Sequence, residues 1–258
     1  MFSARITGYA LPLCALLLGS MIALDTHAAD NDSATLQSRP TLTDAWLAMD
    51  RLPQGRAYYL LETDQERLEQ QGRQLRHELA ELIGKAGQAG QNRRWQGLVQ
   101  WQLKLNQPAT LRTLASADLA SLLENPRSAP FLDTLASYGA CTPADWIDVW
   151  TPNGVIRLDW QEGSRLANTL DRLPKDAYRG ADTATVVTPR GSTYQRGVAA
   201  WNLQDVALAP GSRIVFSLPS DNVSARWVNK NLPKYLAARM PGNDCTRDSM
   251  KPDDVSAP

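Results

Sequence analysis

Residues 146–160 read WIDVWTPNGVIRLDW, which is the pattern of a β-hairpin. Apolar and polar side chains alternate on either side of the central PNG, and a period of two is typical of a strand. Ile147 and Val149 therefore lie on one face of the first strand, opposite its tryptophans. The Asn153-Gly154 pair favours a tight turn, because both central positions of such a turn need positive φ.

The residues after this hairpin predict one helix, a second hairpin and a closing strand. Ser164 is the expected N-cap of the helix, which carries three leucines at helical spacing and ends before Pro174. Turn-forming residues at 189–192 separate the next two strands, and the strands are expected at 183–187, 194–198 and 213–218. Two hairpins that flank one helix, followed by a last strand, form the β-grasp pattern. The sequence therefore predicts an α+β fold.

The residues before the hairpin predict two helices joined by a glycine-rich loop. Thr63-Asp64-Gln65-Glu66 fits a capping box at the start of the first helix, and Asn92 is the expected cap of the second. Apolar residues stripe both helices, and glycines at 84, 87 and 90 indicate the loop. A short helix is expected at 45–51, and strands are expected at 34–37, 57–61, 109–114 and 132–137.

These elements divide the chain into seven successive parts. They are a signal peptide at 1–28, an abbreviated N-terminal β-grasp part at 29–61, a helical hairpin at 62–106, a connecting segment at 107–140 that completes the first β part, a C-terminal β-grasp domain at 141–220, a C-terminal helix at 221–241 and a disordered tail at 242–258. The C-terminal helix is amphipathic, and Pro233 should kink it or mark a new start.

The first 28 residues are typical of a cleavable signal peptide. Arg5 precedes an apolar run from Leu11 to Leu24, and cleavage is expected near Ala28. A single membrane anchor is the alternative, which is disfavoured because a spanning helix needs about 20 apolar residues. We therefore expect an exported protein whose mature chain has no transmembrane segment.

Removal of this leader leaves two of the three cysteines, Cys141 and Cys245. Exported proteins meet an oxidising environment, so we expect one disulfide between them, and two unpaired buried thiols are the alternative. Closing a loop of roughly 100 residues stabilises a protein by about 4–5 kcal/mol in the chain-entropy model.

Charge and composition disfavour several function classes. The 27 basic and 27 acidic residues give zero formal net charge without a polybasic run, so nucleic acid is not an expected partner. His77 lies in a charged helical stretch, where a solvated side chain is expected rather than a catalytic one. After removal of the leader, one histidine and two distant cysteines remain, which cannot supply a zinc site, and no glycine-rich loop that could hold a phosphate occurs. We expect neither a metal nor a cofactor.

Asp145, Asp148 and Asp159 are the acidic residues of the first predicted hairpin. Paired carboxylates can act as general acid and base, as they do in glycoside hydrolysis. The alternative is the polar face of a two-stranded ribbon with Arg157 as a cross-strand partner. The second interpretation is favoured, because paired catalytic carboxylates need a cleft that the sequence does not show.

The eight tryptophans are a high number for this length. Exposed tryptophans stack on sugar rings and at protein interfaces, because they offer rigid apolar area with a polar tip. Most are expected in the core, Trp95 and Trp201 among them. Trp146 and Trp150 share a face that needs a cover, either the rest of the protein or a ligand. They are therefore candidate binding residues.

Three short motifs resemble the C-terminal half of the GfcC-type capsule-biosynthesis proteins. Thr188-Pro189-Arg190-Gly191-Ser192 is similar to the family's TPxG, Ala200-Trp201-Asn202 to (A/L)WN, and Pro210-Gly211-Ser212-Arg213 to PGS(Q/R). The similarity is specific over residues 180–241, looser over the helical hairpin and weakest before residue 60. The motif residues expected to have structural roles are Pro189, Gly191, Trp201, Asn202, Pro210 and Gly211.

The resemblance implies two β-grasp domains related to the soluble-ligand-binding domains of outer-membrane polysaccharide exporters, with a helical insertion and a C-terminal amphipathic helix. It implies a periplasmic accessory protein of capsule or exopolysaccharide assembly or export, with no cofactor. The implied partners are polysaccharide, polysaccharide export proteins or both. Family members carry an arginine in a Gly-Arg-Leu-Pro context after the helical hairpin. Arg112 is the nearest candidate here for a pocket-lining cation, and an exposed strand arginine is the alternative.

Three hypotheses of function follow from these patterns. The favoured one is a non-enzymatic module that binds a polysaccharide or a subunit of an export machine. A glycan-processing enzyme that uses Asp145, Asp148 or Asp159 as acid and base is the alternative from a different class. The third is a structural, disulfide-tied protein whose partner is unrelated to glycans.

Overall fold

A computed structural model describes residues 39–49, 55–242 and 244–247. These residues form an α+β fold, which confirms the predicted fold class. The helices are α1 (Leu42–Leu47), α2 (Glu62–Gln88), α3 (Asn92–Asn106), α4 (Leu119–Glu124), α5 (Leu166–Asp171) and α6 (Val223–Ala238). The strands are β1 (Arg56–Leu61), β2 (Leu135–Cys141), β3 (Trp146–Thr151), β4 (Gly154–Asp159), β5 (Thr183–Val187), β6 (Thr193–Gly197) and β7 (Arg213–Phe216). The predicted signal peptide and the predicted strand at 34–37 lie outside the described residues.

Five strands form one sheet in the order β4-β3-β7-β5-β6. The hairpins β3–β4 and β5–β6 are antiparallel, and β7 returns between them, parallel to β3 and antiparallel to β5. Helix α5 lies between the two hairpins in the chain, as the sequence predicted. Its Leu166 and Leu170 pack with Ile147 and Val149 in one buried cluster, so this helix covers one face of the sheet.

The other face of the sheet is covered by α2, α3 and α6. Trp150 of β3 and Val215 of β7 pack there with Leu98 and Trp101 of α3 and with Leu232 of α6. Every residue of β3 is therefore buried, although the sequence predicted a half-buried strand. The helical hairpin makes the difference, because burial on both faces requires a partner that the strand's own alternation cannot reveal.

The strands β1 and β2 form a separate antiparallel pair. Trp46 of α1 packs with Tyr138 of β2 in a small cluster beside this pair, with ring centroids 5.6 Å apart. The predicted disulfide is present between Cys141, the last residue of β2, and Cys245. Thr246 donates its backbone N–H to Ala140, so this part of the predicted disordered tail is fixed against β2. Residues 248–258 lie outside the described part.

Several predicted helix starts were wrong by one to three residues. Helix α1 begins earlier than expected, because the Thr41 hydroxyl accepts from the Asp44 N–H and the Asp44 carboxylate accepts from the Thr41 N–H. Helix α2 follows β1 directly, so the capping box predicted at 63–66 lies inside the helix and makes no cap. Asn92 and Ser164 are not caps either, since Gln91 and Arg165 take those positions.

Further predictions of local structure were corrected. Helix α6 continues through Pro233, so the proline does not mark a new start, because apolar residues on both sides of it are buried and packing outweighs one missing hydrogen bond. Residues 109–114 form a single bridge, between Leu111 and Arg239, instead of a strand. Gly84 and Gly87 belong to α2, and the loop before α3 contains Gly90, whose φ is 66°.

None of the helices within the described ranges combines the length and the apolar character needed to cross a bilayer.

Candidate functional site

Buried arginines converge on the C-terminal end of α6. Arg112 donates from Nε and Nη2 to the carbonyl of Ala237, at 3.2 and 2.9 Å. Arg213 donates from Nη1 to the carbonyls of Leu236 and Arg239, at 2.8 and 3.0 Å. The last carbonyls of a helix have no partner within the helix and carry partial negative charge, so guanidinium groups stabilise them. These contacts join α6 to the rest of the fold.

Burial changes the ionisation of these arginines. Removal from water lowers the pKa of Arg213 to about 9, although the Asp148 carboxylate acts in the opposite direction. Burial, together with repulsion from Arg56, lowers the pKa of Arg112 to about 10. Both values lie above 7, so both guanidinium groups are positively charged at neutral pH. The core near α6 therefore carries positive charge that its own hydrogen bonds only partly offset.

Arg112 lines a cavity of about 560 Å³, which we call the Arg112 cavity. Arg56 and Arg190 line it as well, and Ser116 and Asp118 add a hydroxyl and a carboxylate. The Arg112 side chain is buried, so the alternative of an exposed strand arginine is wrong. The volume lies in the range of small-molecule sites, and the basic and hydroxyl groups suit a ligand rich in oxygen.

The turn at 188–192 packs directly against Arg112. Gly191 has a φ of 94°, and a Cβ atom there would lie 2.6 Å from Leu114 Cδ2 and 3.1 Å from Arg112 Nη2. The turn is closed by a hydrogen bond from the Gly191 N–H to the carbonyl of Thr188. A side chain at position 191 would therefore displace the arginine that holds α6.

The other motif residues also hold loops in place. Asn202 donates to the carbonyl of Asp182 and accepts from the N–H of Ala199, which closes the segment after β6. Gly211 has a φ of 87° and donates its N–H to the carbonyl of Trp146. Pro189 is buried in the turn beside Gly191, and Pro210 is half-buried before Gly211.

Two tryptophan predictions were wrong. Trp201 of the AWN motif is 78% exposed, and Trp95 of α3 is 42% exposed, although both were expected in the core. The buried side of α3 is formed instead by Gly97, Leu98, Trp101 and Leu105. Trp95 lies outside this buried side, because α3 turns Trp101 toward the sheet, where its ring packs edge-on against Trp150 with centroids 5.5 Å apart.

The predicted pair Trp146 and Trp150 lies under the protein's own helices. Both side chains are buried, and they line a smaller cavity of about 110 Å³, which we call the Trp146 cavity. Its charged lining residues are Lys104, Asp148, Arg157, Arg213 and Arg239. Trp101 covers Trp150, so the rest of the protein supplies the cover for that ring.

Asp148 is engaged by cations within this cavity. Arg157 donates from Nε and Nη2 to its two carboxylate oxygens, at 2.7 and 2.9 Å, which confirms the predicted cross-strand pair. The ammonium group of Lys104 lies 3.7 Å from the same carboxylate. Asp145 and Asp159 are exposed at the open end of the hairpin, where the Trp160 N–H donates to the Asp145 carbonyl and Asp159 pairs with Trp146. Of the three carboxylates named for acid–base catalysis, Asp148 lines the Trp146 cavity and the other two do not.

A third feature was not predicted from the sequence. Helices α2 and α6 border a groove of about 560 Å³, which we call the Gln71 groove and which is lined by side-chain amides, by Trp227 and by the cations Arg67 and Lys234. The amide residues are Gln70, Gln71, Gln74 and Asn231. Amides can donate and accept at once, which suits neutral hydroxyl groups. Glutamines on one helix resemble any solvated surface, so the sequence carried no distinguishing signal.

His77, which was expected to be solvated, is an exposed residue of α2. Within residues 39–49, 55–242 and 244–247, no group of three or more histidine, cysteine or acidic side chains could hold a metal ion.

Residues 154–241 match the protein-family model described as Capsule biosynthesis GfcC C-terminal. The resemblance to the GfcC-type capsule biosynthesis family is confirmed. The matched segment starts at the first residue of β4 and ends shortly after α6. It therefore contains the three GfcC-type motifs, the Gly191 turn against Arg112, and Arg213 with its contacts to the end of α6. The match implies a role related to capsule biosynthesis.

Proposed function

We propose that this protein is a periplasmic accessory factor of capsule or exopolysaccharide assembly or export. It acts without catalysis, by binding the polysaccharide or a subunit of the export machinery. The observation that carries the proposal is the match of residues 154–241 to the GfcC C-terminal family model. The predicted signal peptide at 1–28 and the disulfide between Cys141 and Cys245 support an oxidising compartment outside the cytoplasm.

The proposal includes a β-grasp interpretation of the five-stranded sheet. Two hairpins flank α5, and β7 returns between them beside β3. We interpret this sheet as the C-terminal β-grasp domain and the β1–β2 pair as the abbreviated first one. Domains of this kind, related to the soluble-ligand-binding domains of polysaccharide exporters, would offer surfaces for a partner.

The Arg112 cavity and the Gln71 groove are the proposed contact surface. Leu114 lines both of them, and the turn at 188–192 contributes Arg190 to the first and Gly191 to the second. A glycan presents many hydroxyl oxygens, which the guanidinium and amide donors of these two sites could bind together. Trp227 adds an aromatic surface to the groove, on which a sugar ring could stack.

Deletion of the gene tests the proposed role. We expect less surface polysaccharide or a changed chain length in the deletion strain, with recovery when the wild-type gene is returned. Unchanged amount and length in the deletion strain would contradict the proposal. Recovery with an Arg190→Gln variant should be weaker than with Arg127→Gln, because Arg190 lines the Arg112 cavity and Arg127 is exposed elsewhere.

The non-catalytic part of the proposal needs a separate measurement. The purified protein is incubated with the producer's own polysaccharide, and the polymer length is followed by size-exclusion chromatography. We expect no change in length, since the Asp148 carboxylate is held by Arg157 and Lys104. Depolymerisation by the wild type that an Asp148→Asn variant loses would establish the enzymatic alternative instead.

A further inference from the structure

We infer that the Trp146 cavity binds the carboxylate group of an acidic sugar, such as a uronic acid. The inference rests on the proposed function, because the polysaccharide of that function would supply the sugar. It names acidic sugars as the class of ligand that the Trp146 cavity binds. It is carried by unbalanced charge, by two buried donors without partners and by the size of the cavity.

The charges of the Trp146 cavity do not balance. Four cationic side chains line it, and Asp148 is the one carboxylate among its lining residues. The cations are Lys104, Arg157, Arg213 and Arg239. Asp148 pairs with Arg157, approaches Lys104 and also attracts Arg213 and Arg239, so one negative charge faces four positive ones. Buried charge of one sign is costly, so a bound anion would stabilise the site.

Two buried hydrogen-bond donors in the same lining lack partners. Within the described part of the chain, the indole N–H groups of Trp146 and Trp150 make no hydrogen bond. Trp101 differs, because its N–H donates to the carbonyl of Thr151 at 2.8 Å, and Trp160 donates to the carbonyl of Leu208 at 2.7 Å. A buried donor without a partner destabilises a protein, because the hydrogen bond that it makes to water is lost and not replaced. An acceptor oxygen that reached either indole N–H would replace the missing hydrogen bond.

The arginines define where a ligand can approach. Arg157 lies over the ring of Trp146, with its Cζ atom 4.0 Å from the ring centroid, and Arg213 lies 5.6 Å from the same ring. Arg213 is buried and committed to carbonyls of the α6 end, so it forms the inner wall. The side chains of Arg157 and Lys104 remain 40% and 26% exposed, so they form the solvent side. An anion therefore reaches the cavity past Arg157 and Lys104.

The cavity is large enough for the carboxylate group of an acidic sugar but too small for the whole sugar. The Trp146 cavity, at about 110 Å³, has about a fifth of the 560 Å³ volume of the Arg112 cavity. A carboxylate fits this space, and the sugar ring that carries it would stay at the mouth beside Lys104. A neutral hydroxyl would supply an acceptor but would not offset the charge of the arginines. The charge therefore favours an acidic sugar over a neutral one.

Titration of the full mature protein with sodium glucuronate tests the inference. Glucose is the neutral control, acetate is the carboxylate without a sugar, and inorganic phosphate is the anion without a carboxylate, all at equal ionic strength. The readouts are the affinity from calorimetry and the NMR signals of the indole N–H groups. We expect glucuronate to bind and to shift the signals of Trp146 and Trp150, and we expect glucose to do neither.

Two variants with matched controls locate the binding. Trp146→Phe keeps a ring but removes one donor, and Lys104→Gln removes one charge at the solvent side. Each should weaken glucuronate binding about tenfold, because a hydrogen bond or ion pair to a charged group contributes about 1.5 kcal/mol or more. Trp95→Phe and Lys85→Gln, at exposed positions of the helical hairpin, should leave the affinity unchanged. Circular dichroism confirms that each variant is folded.

Several results would overturn the inference. They are equal binding of glucose and glucuronate, no shift of the two indole signals, or glucuronate affinity that neither Trp146→Phe nor Lys104→Gln reduces. Acetate or phosphate binding as tightly as glucuronate would show an adventitious anion only. If the deletion strain has an altered capsule and the purified protein does not bind glucuronate, this inference is contradicted and the proposed function is not. An unaltered capsule would contradict the proposed function, whatever the titration shows.

Discussion

Arg213 at the start of β7 donates to the carbonyl of Leu236 at 2.8 Å and so ties the central sheet to the last turn of α6. The same guanidinium reaches the carbonyls of Arg239 and Met240, at 3.0 and 3.3 Å. One buried side chain thus satisfies three carbonyls at the end of a helix that has no glycine cap. The planar fork of arginine suits this task, because it offers several donors in fixed directions.

Replacement of Arg213 by lysine should destabilise the fold while keeping the charge. An ammonium group cannot reach all three carbonyls, so we expect the free energy of unfolding to fall by about 2–4 kcal/mol. Urea unfolding measures the change. Arg226→Lys is the matched control, since Arg226 is exposed and donates to the carbonyl of Ser220 alone. Equal effects of the two substitutions would show that the buried contacts of Arg213 stabilise the fold no more than the exposed contact of Arg226 does.

Replacement of Gly191 by alanine should destabilise the protein more than the same change at Gly163. Both glycines have positive φ, at 94° and 77°, so the backbone strain is similar. A Cβ atom at 191 meets Leu114 and Arg112, whereas nothing lies within 4 Å of one at 163. We expect about 1–3 kcal/mol of additional destabilisation for Gly191→Ala from overpacking. Indistinguishable melting temperatures for the two variants would contradict the close packing of the turn against Arg112.

Loss of the disulfide should lower stability through the unfolded chain. The two cysteines are 104 residues apart, and a closed loop of that size corresponds to about 4–5 kcal/mol in the chain-entropy model. The double variant Cys141→Ser, Cys245→Ser should therefore unfold at lower urea concentration than the oxidised wild type. Reductant should bring the wild type to the stability of the variant and leave the variant unchanged. If reductant leaves the urea stability of the wild type unchanged, the disulfide does not stabilise the protein.

Acid should remove the stabilisation that the Asp118 carboxylate gives to the folded protein at the start of α4. Hydrogen bonds from the Ser116 hydroxyl and from the Ser121 N–H lower the pKa of Asp118 below its usual value. A carboxyl group whose pKa is lowered by folding stabilises the protein at pH values above its usual pKa, which is near 3.8. This stabilisation is lost as the pH falls through the pKa of the folded state. Asp118→Asn keeps the capping geometry without titrating, so the wild type should lose its advantage over the variant between about pH 5 and pH 2.

The expected difference is small, about 0.5 kcal/mol, because solvent screens this largely exposed group. Unfolding free energies of the two proteins across this pH range measure it. Glu81→Gln, at an exposed position of α2, is a control for the general effect of losing a carboxylate. A constant gap between wild type and Asp118→Asn at all pH values would contradict the assignment to titration.

Local patterns predicted most elements because they depend on neighbouring residues. The alternation from Trp146 to Trp160 gave both strands of the first hairpin, and the leucines of α2 and α5 gave their buried sides. Helix starts were less predictable. Thr63 was expected to cap α2, but the chain enters that helix directly from β1, so the cap position falls on Leu61. Which of several adjacent polar residues serves as a cap depends on where the preceding strand ends.

The candidate sites were predicted only in part. Arg112, Trp146 and Trp150 were named from the sequence, and each lines a cavity. Arg213 stands in the PGSR motif, so a local signal for it existed. Lys104 and Arg239 carried no such signal, since they lie on different helical segments and meet Asp148 and Trp146 only in the folded protein.

The sequence by itself determined the order of the elements from β3 to α6, the two cysteines available for a disulfide and the GfcC-type motifs, since periodicity, composition and short motifs can be read without the folded structure. Only the tertiary structure decided what covers the second face of β3 and what surrounds Asp148. Helix α3 precedes the sheet in the sequence and α6 follows it, yet both cover that face, and the cost of burying charge then depends on all the side chains brought together there. The Trp146 cavity therefore exists only in the assembled fold.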